Sequence, residues 1–177
     1  MMMDQKTAER QAALQTAAQM CAAARTAPKT KGMDYIRTCV VTDEDKEALA
    51  VELERLAETL NYPFFCRDAG CVRGSEAVVL VGVTGARRGL DAGCGYCGNE
   101  SCADCAKAEG ICVYDPMDLG IALGSAVSVA ADHRVDTRIM FSVGRAAMAL
   151  EYLGDDVTMI MGIPVAITGK SPFFDRG

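Results

Sequence analysis

Residues 93–105 read Gly93-Cys94-Gly95-Tyr96-Cys97-Gly98-Asn99-Glu100-Ser101-Cys102-Ala103-Asp104-Cys105, and Cys112 follows. The spacing C-x2-C-x4-C-x2-C-x6-C gathers five thiols on a glycine-rich stretch. Thiols this dense pair, bind metal or react, because reduced cysteines have no packing reason to crowd on such a loop. The chain opens on Met1-Met2-Met3-Asp4-Gln5-Lys6, which lacks the apolar core of a signal peptide, and nine cysteines is an odd number. A disulfide framework is therefore the poor reading, and reduced thiols point to metal or redox chemistry. Soft thiolates select iron–sulfur clusters, zinc or Cu(I) over hard cations. A cluster needs several thiolates on a short turn that wraps one centre. Gly93, Gly95 and Gly98 allow unusual backbone angles and bring peptide N–H groups close to the sulfurs.

Zinc competes for the same pattern. A zinc ribbon, however, separates its two C-x2-C pairs by roughly 15 to 20 residues, and here four residues lie between Cys97 and Cys102. Five cysteines also exceed a closed tetrahedral site. A redox dithiol would need only one C-x-x-C. The spacing thus predicts an iron–sulfur cluster, with zinc as the alternative. Cys94, Cys97 and Cys102 are the expected ligands, and Cys105 and Cys112 compete for the fourth place. Cys105 lies one helical step beyond Cys102, and Cys97-x4-Cys102-x2-Cys105 matches the plant-type 2Fe–2S run. Cys112 follows a short helix and would close the cluster from the far side; it is the preferred fourth ligand.

The remaining thiols read differently. Cys21 and Cys39 fall on a helix and a strand, as buried small hydrophobes. Cys66 and Cys71 read as structural thiols, and His133 as a surface residue at a helix end. No pair of carboxylates stands out as a catalytic acid and base.

The elements that position the loop follow from periodicity. A helix is expected over about 7–25, buried at Ala13, Ala17, Met20 and Ala24. Its alanines suit close packing on another helix, from this subunit or a second one. A strand follows at 36–42, then a helix to about Leu60 opened by a capping box, with Thr42 as N-cap and Asp45 at the third position. Pro63-Phe64-Phe65-Cys66 reads as a short edge strand, and 68–73 as a turn of helix. Ala77–Val83 is apolar on both faces, so it is expected to be a central strand, leading into the thiol loop through Gly85-Ala86-Arg87-Arg88-Gly89. Asn99-Glu100-Ser101 caps a short helix. A helix starting at Asp115-Pro116 runs to about His133, with room for a close neighbour at Gly120, Gly124 and Ser125. A helix over 141–153 and a final strand over 157–168 complete the chain; Gly162 and Pro164 predict that this strand is bulged or at an edge.

Composition bounds the function. A net charge of -6 and a pI of about 4.8 argue against nucleic acid and anionic membranes as partners. The longest apolar run, Leu119 to Ala131, is short of the roughly 20 residues a membrane span needs. The expected protein is soluble and cytoplasmic, with residues 1–177 as one domain and 93–113 as its metal-binding segment.

The thiols from Cys94 to Cys112, with Asp118-Leu119-Gly120-Ile121-Ala122-Leu123-Gly124-Ser125-Ala126, resemble a family of uncharacterised ferredoxin-domain proteins, DUF2148. Gly162-Ile163-Pro164 and Gly169-Lys170-Ser171-Pro172-Phe173-Phe174-Asp175-Arg176 resemble that family's end. The resemblance implies ligands at Cys94, Cys97, Cys102 and Cys112, with Cys105 as an extra. That order is similar to the 4Fe–4S modules of corrinoid proteins, and implies a cofactor and not a reaction; a cluster in turn predicts a redox or electron-transfer role with a partner protein. A second resemblance, through Ala23-Ala24-Arg25-Thr26-Ala27-Pro28, the strand after it, Thr42-Asp43 and Gly162-Ile163-Pro164, is to flavin-dependent nitroreductases. It implies an α+β fold of helices around a small central sheet, a homodimer, and FMN as a further cofactor. The chain departs from that family at the phosphate clamp: Lys29, Thr30 and Lys31 replace the usual residues, leaving Lys170 and Arg176 as candidate phosphate contacts. A zinc-stabilised, non-enzymatic dimeric binding module is the remaining alternative.

Overall fold

The computed structural model describes residues 2–174. Its helices are α1 (Gln5–Thr26), α2 (Asp43–Leu60), α3 (Phe64–Arg73), α4 (Cys102–Lys107), α5 (Tyr114–Asp132) and α6 (Phe141–Ala149). Its strands are β1 (Ile36–Val41), β2 (Ala77–Thr84), β3 (Asp136–Thr137) and β4 (Val157–Ala166). They form one antiparallel sheet in the order β1-β2-β4-β3.

Strand alternation divides the interior between the two sheet faces. Ala77, Val79, Val81 and Val83 of β2, with Ile163 and Val165 of β4, face α1 and α5. Val78, Leu80 and Ile160 face α2, α3 and α6. Every residue of β2 but Thr84 is buried, as its two-sided apolar pattern requires. In α1, Ala13, Ala17, Met20 and Ala24 are buried as predicted. The small side chains let α1 and α5 approach until the Ser125 hydroxyl donates to the Ala23 carbonyl at 3.0 Å. Gly120 and Gly124 face open space instead of this contact.

Several expectations change. Pro63 to Cys66 is no edge strand: Pro63 itself is helical, and α3 runs from Phe64. Phe65, Ala69 and Val72 give the segment a helical buried stripe, and Tyr62, Phe64, Phe65 and Phe141 form a ring cluster over it. Adjacent aromatics imitate a strand in sequence, but one helical face satisfies them. Thr42 occupies the N-cap of α2 without a side-chain cap bond; Asp43 takes a left-handed φ of 51° and its carboxylate accepts from Arg10. Helix α5 begins at Tyr114, so Pro116 is its third residue, still in the first turn where a missing N–H is harmless. Helix α6 stops at Ala149, and the chain leaves it through Glu151 at φ 55°.

Strand β4 lies between β2 and β3, and its bulge falls at Thr158, away from Gly162 and Pro164. Gly162 serves packing: a Cβ there would stand 2.3 Å from Val143 Cγ1. Gly144 of α6 is tighter still, since a Cβ would stand 1.7 Å from the Ile160 carbonyl oxygen. No helix among the described residues is long and apolar enough to cross a membrane.

Candidate metal centre

The segment between β2 and α5 holds its shape through glycine turns and side-chain clips. Gly95 and Gly98 have φ of 65° and 76°, the left-handed region that glycine adopts freely, whereas Gly93 closes a short 3-10 turn without a positive φ. The Asp91 carboxylate accepts from the Cys102 N–H at 3.0 Å, tying the turn before Cys94 to the start of α4. Ser101 caps that helix by accepting from the Asp104 N–H at 3.1 Å. The Asn99 side-chain amide donates to the Cys97 carbonyl at 3.2 Å and to the Cys97 Sγ at 3.6 Å. The chain then turns back through Gly110, whose N–H donates to the Cys105 carbonyl at 2.8 Å. A Cβ on Gly110 would lie 3.1 Å from Cys105 Sγ, so this sulfur packs directly on the turn.

These clips bring Cys94, Cys97, Cys102, Cys105 and Cys112 around one pocket. Cys105 and Cys112 are buried, and the other three are partly exposed. Hydrogen bonds from the Asn99 backbone and side chain hold the Cys97 thiol below its ordinary pKa. Burial pushes the Cys105 thiol up, and its hydrogen bond to Cys97 adds to this. Burial also raises the Tyr114 hydroxyl, which bonds the Cys94 sulfur. Among the described residues, no three His, Cys, Asp or Glu side chains meet where a single metal ion would sit. The five thiols line the same pocket. As soft donors spread over two helical ends and a glycine loop, they suit a multi-atom iron–sulfur centre.

A buried charge network forms the floor. Arg88 is 2% exposed. Its Nη1 donates to Asp115 Oδ1 and its Nη2 to Asp118 Oδ2, each at 2.9 Å. The guanidinium lies 4.7 Å from the Tyr35 ring centroid. Thr30 donates to Asp118 through both its backbone N–H and its hydroxyl. Lys31 Nζ donates to the Arg88 carbonyl at 2.9 Å. Burial pushes the Asp115 carboxyl up, and Arg88 pulls it back. Arg87 reaches the other way: its Nη2 donates to the Gly110 carbonyl at 2.6 Å and to that of Cys105 at 3.5 Å.

The other cysteines lie apart. Cys21 and Cys39 are half-buried, less enclosed than expected. Burial raises both thiols, that of Cys39 to about 11. Cys71 is buried in the core between α2, α3 and α6, whereas Cys66 is exposed, which gives it no packing role. His133 is exposed, as expected. Lys29, Thr30 and Lys31 are spent on internal partners: Lys29 on the carbonyls of Arg25 and Ala27, the other two on the pocket floor. Arg176 falls outside the described residues. Sequence reasoning missed Arg87, Arg88, Asp115 and Asp118 as a set. The available signal was two adjacent arginines directly after a fully buried strand.

Known proteins resemble this chain in sequence and in fold. The family described as an uncharacterized protein containing a ferredoxin domain (DUF2148) matches residues 108–176, a stretch that includes Cys112 and α5. An uncharacterized protein of Archaeoglobus fulgidus is 44% identical over 165 residues, covering 89% of this chain and 88% of its own. A nitroreductase family protein from Clostridium novyi NT superposes with a TM-score of 0.58 at 12% identity, over 94% of this chain and 76% of that one. An FMN and NADPH-dependent nitroreductase from Sphigopyxis sp. strain HMH gives 0.59 at 14%, over 90% and 82%. At such identities the likeness establishes a nitroreductase-type α+β fold.

Proposed function

Because this chain belongs to the family of uncharacterized proteins containing a ferredoxin domain (DUF2148), we propose that it is an iron–sulfur redox protein on a nitroreductase-type scaffold. In this reading residues 1–177 form one domain, and residues 93–113 hold a 4Fe–4S cluster through Cys94, Cys97, Cys102 and Cys112. A cluster bound there supplies one-electron transfer to a partner protein or substrate in the cytoplasm, from a homodimer. The observation that carries the proposal is the meeting of five thiols, from a loop and the ends of two helices, at one pocket. In this reading Cys105 is the extra thiol, as the family resemblance implies; its sulfur packs against Gly110 and bonds Cys97. Cys112, at the threshold of α5, has its carbonyl held by the Asp115 N–H.

The chain's own residues would do three things for the centre. Asn99 and Tyr114 hydrogen-bond the Cys97 and Cys94 sulfurs. The Arg88 network fixes the pocket floor to the loop after α1. The turn at Gly95 and Gly98, closed by the Gly98 N–H on the Gly95 carbonyl, brings the Asn99 backbone N–H to the Cys97 sulfur, which tunes potential.

Replacing Cys105 and Cys112 one at a time tests the ligand set. Cys105→Ser is expected to keep iron and Cys112→Ser to lose it; the reverse result would reassign the fourth ligand. Zinc in place of iron would turn the site into a structural knuckle. A second reading, a flavin oxidoreductase with an accessory cluster, is favoured by the fold shared with an FMN-dependent nitroreductase. Its mark is FMN released on denaturation.

A further inference from the structure

Two adjacent arginines reach this pocket and differ in how they are paired. The charge of Arg88 is matched twice, by Asp115 and Asp118. Arg87 forms no ion pair with a carboxylate among the described residues, although Asp115 feels its charge; its bonds go to the carbonyls of Gly110 and Cys105. Both residues line the thiol pocket, and the Nε of each is buried without a hydrogen-bond partner. Leaving a buried N–H unpaired is unfavourable. Holding the Gly110 turn requires one donor, which a neutral amide could supply. A cation with a spare donor at the wall of a thiol pocket therefore exceeds what the turn needs.

We infer that Arg87, which is held in no ion pair, is a positioning residue for the anionic sulfur centre of this pocket and that its charge raises the centre's reduction potential. The inference rests on the iron–sulfur reading. Thiolate-bound clusters are anionic, and reduction adds one more negative charge. A fixed cation nearby, shielded from water, favours the reduced state. Arg88 contributes less, because two carboxylates oppose it. Arg87 also sets the pocket's shape, since it ties the turn after α4 to the segment that follows β2.

The experiment is a redox titration, followed spectroscopically, of anaerobically purified full-length protein and three variants. Arg87→Gln keeps a donor for Gly110 and removes the charge. It is expected to retain iron and to become about tenfold harder to reduce, a shift of about 59 mV for one electron. Arg87→Lys keeps the charge and is expected to stay within about threefold of wild type. Lys107→Gln, an exposed cation on α4, is expected to shift the equilibrium by less than about twofold. An Arg87→Gln protein that holds its cluster at the wild-type potential overturns the inference and leaves the iron–sulfur reading intact. Wild-type protein without iron and sulfide overturns both. If Arg87→Gln does not fold, Arg87→Lys decides: a potential near wild type supports a role for charge, and a tenfold shift contradicts it.

Discussion

The nine cysteines of this chain fall into two populations. Cys21, Cys39, Cys66 and Cys71 sit on regular elements, spread over α1, β1 and α3. Cys94, Cys97, Cys102, Cys105 and Cys112 sit on turns and helix ends and share one pocket. Only the pocket holds a thiol below its ordinary pKa, although it also contains Cys105, which burial pushes up. Burial raises Cys39 and leaves it inert, whereas the Asn99 hydrogen bonds hold the Cys97 thiol down, toward the thiolate that binds metal. The same contrast runs through the packing. The sheet face under α2, α3 and α6 is filled by leucines and aromatics. The face under α1 and α5 is built on alanine, and beside it lie a buried ion network and the thiol loop. Polar and irregular surroundings suit a chemical centre, and the apolar layer on the other sheet face backs them.

The largest effect that could break this contrast concerns iron. Serine at Cys94, Cys97 and Cys102 together is expected to reduce bound iron to background. Serine at Cys21, Cys39, Cys66 and Cys71 together is expected to leave iron content unchanged, by metal analysis of both proteins. The next effect is on stability. Arg88→Met leaves two carboxylates buried without their cation and should cost about 3–5 kcal/mol in denaturant unfolding. A smaller effect separates the glycines. Gly144→Ala forces a methyl into the Ile160 carbonyl and should cost about 3 kcal/mol. Gly120→Ala, in open space on a helix, should stabilise the monomer by about 1 kcal/mol. A loss at Gly120 would mean that a second subunit packs on that face.

The smallest effect is kinetic. With its pKa raised from 9.0 to about 11, Cys39 should alkylate about 100-fold more slowly at pH 8 than an unburied thiol. The linkage has a definite sign. The folded thiol holds its proton more tightly than the unfolded one, so its contribution to stability is complete below pH 9 and is lost as pH rises through about 11. Cys39→Ser should flatten the alkaline limb of the stability curve.

Much of this was legible in the sequence, for physical reasons that differ by element. Strand β2 announced itself because seven apolar residues in a row fit only a strand covered on both faces. Helix α1 was readable from its alanine spacing, and the thiol loop from a density of cysteine that packing cannot explain. Helix α3 was misread because neighbouring aromatics carry no period of their own. The pocket floor was hidden for another reason: Thr30, Arg88 and Asp118 are far apart in the chain, and only the fold makes them neighbours. The choice between Cys105 and Cys112 was left open by spacing, since both lie within reach of the loop. Burial does not separate them either, as both are buried.

The central claim is that the loop thiols hold an iron–sulfur cluster. It is tested most directly by measuring iron, acid-labile sulfide and flavin in protein purified without oxygen. The account predicts a brown protein that bleaches on reduction, with iron and sulfide in equal amounts at a 4Fe–4S stoichiometry. A colourless protein carrying one tightly held zinc, without sulfide, would contradict it.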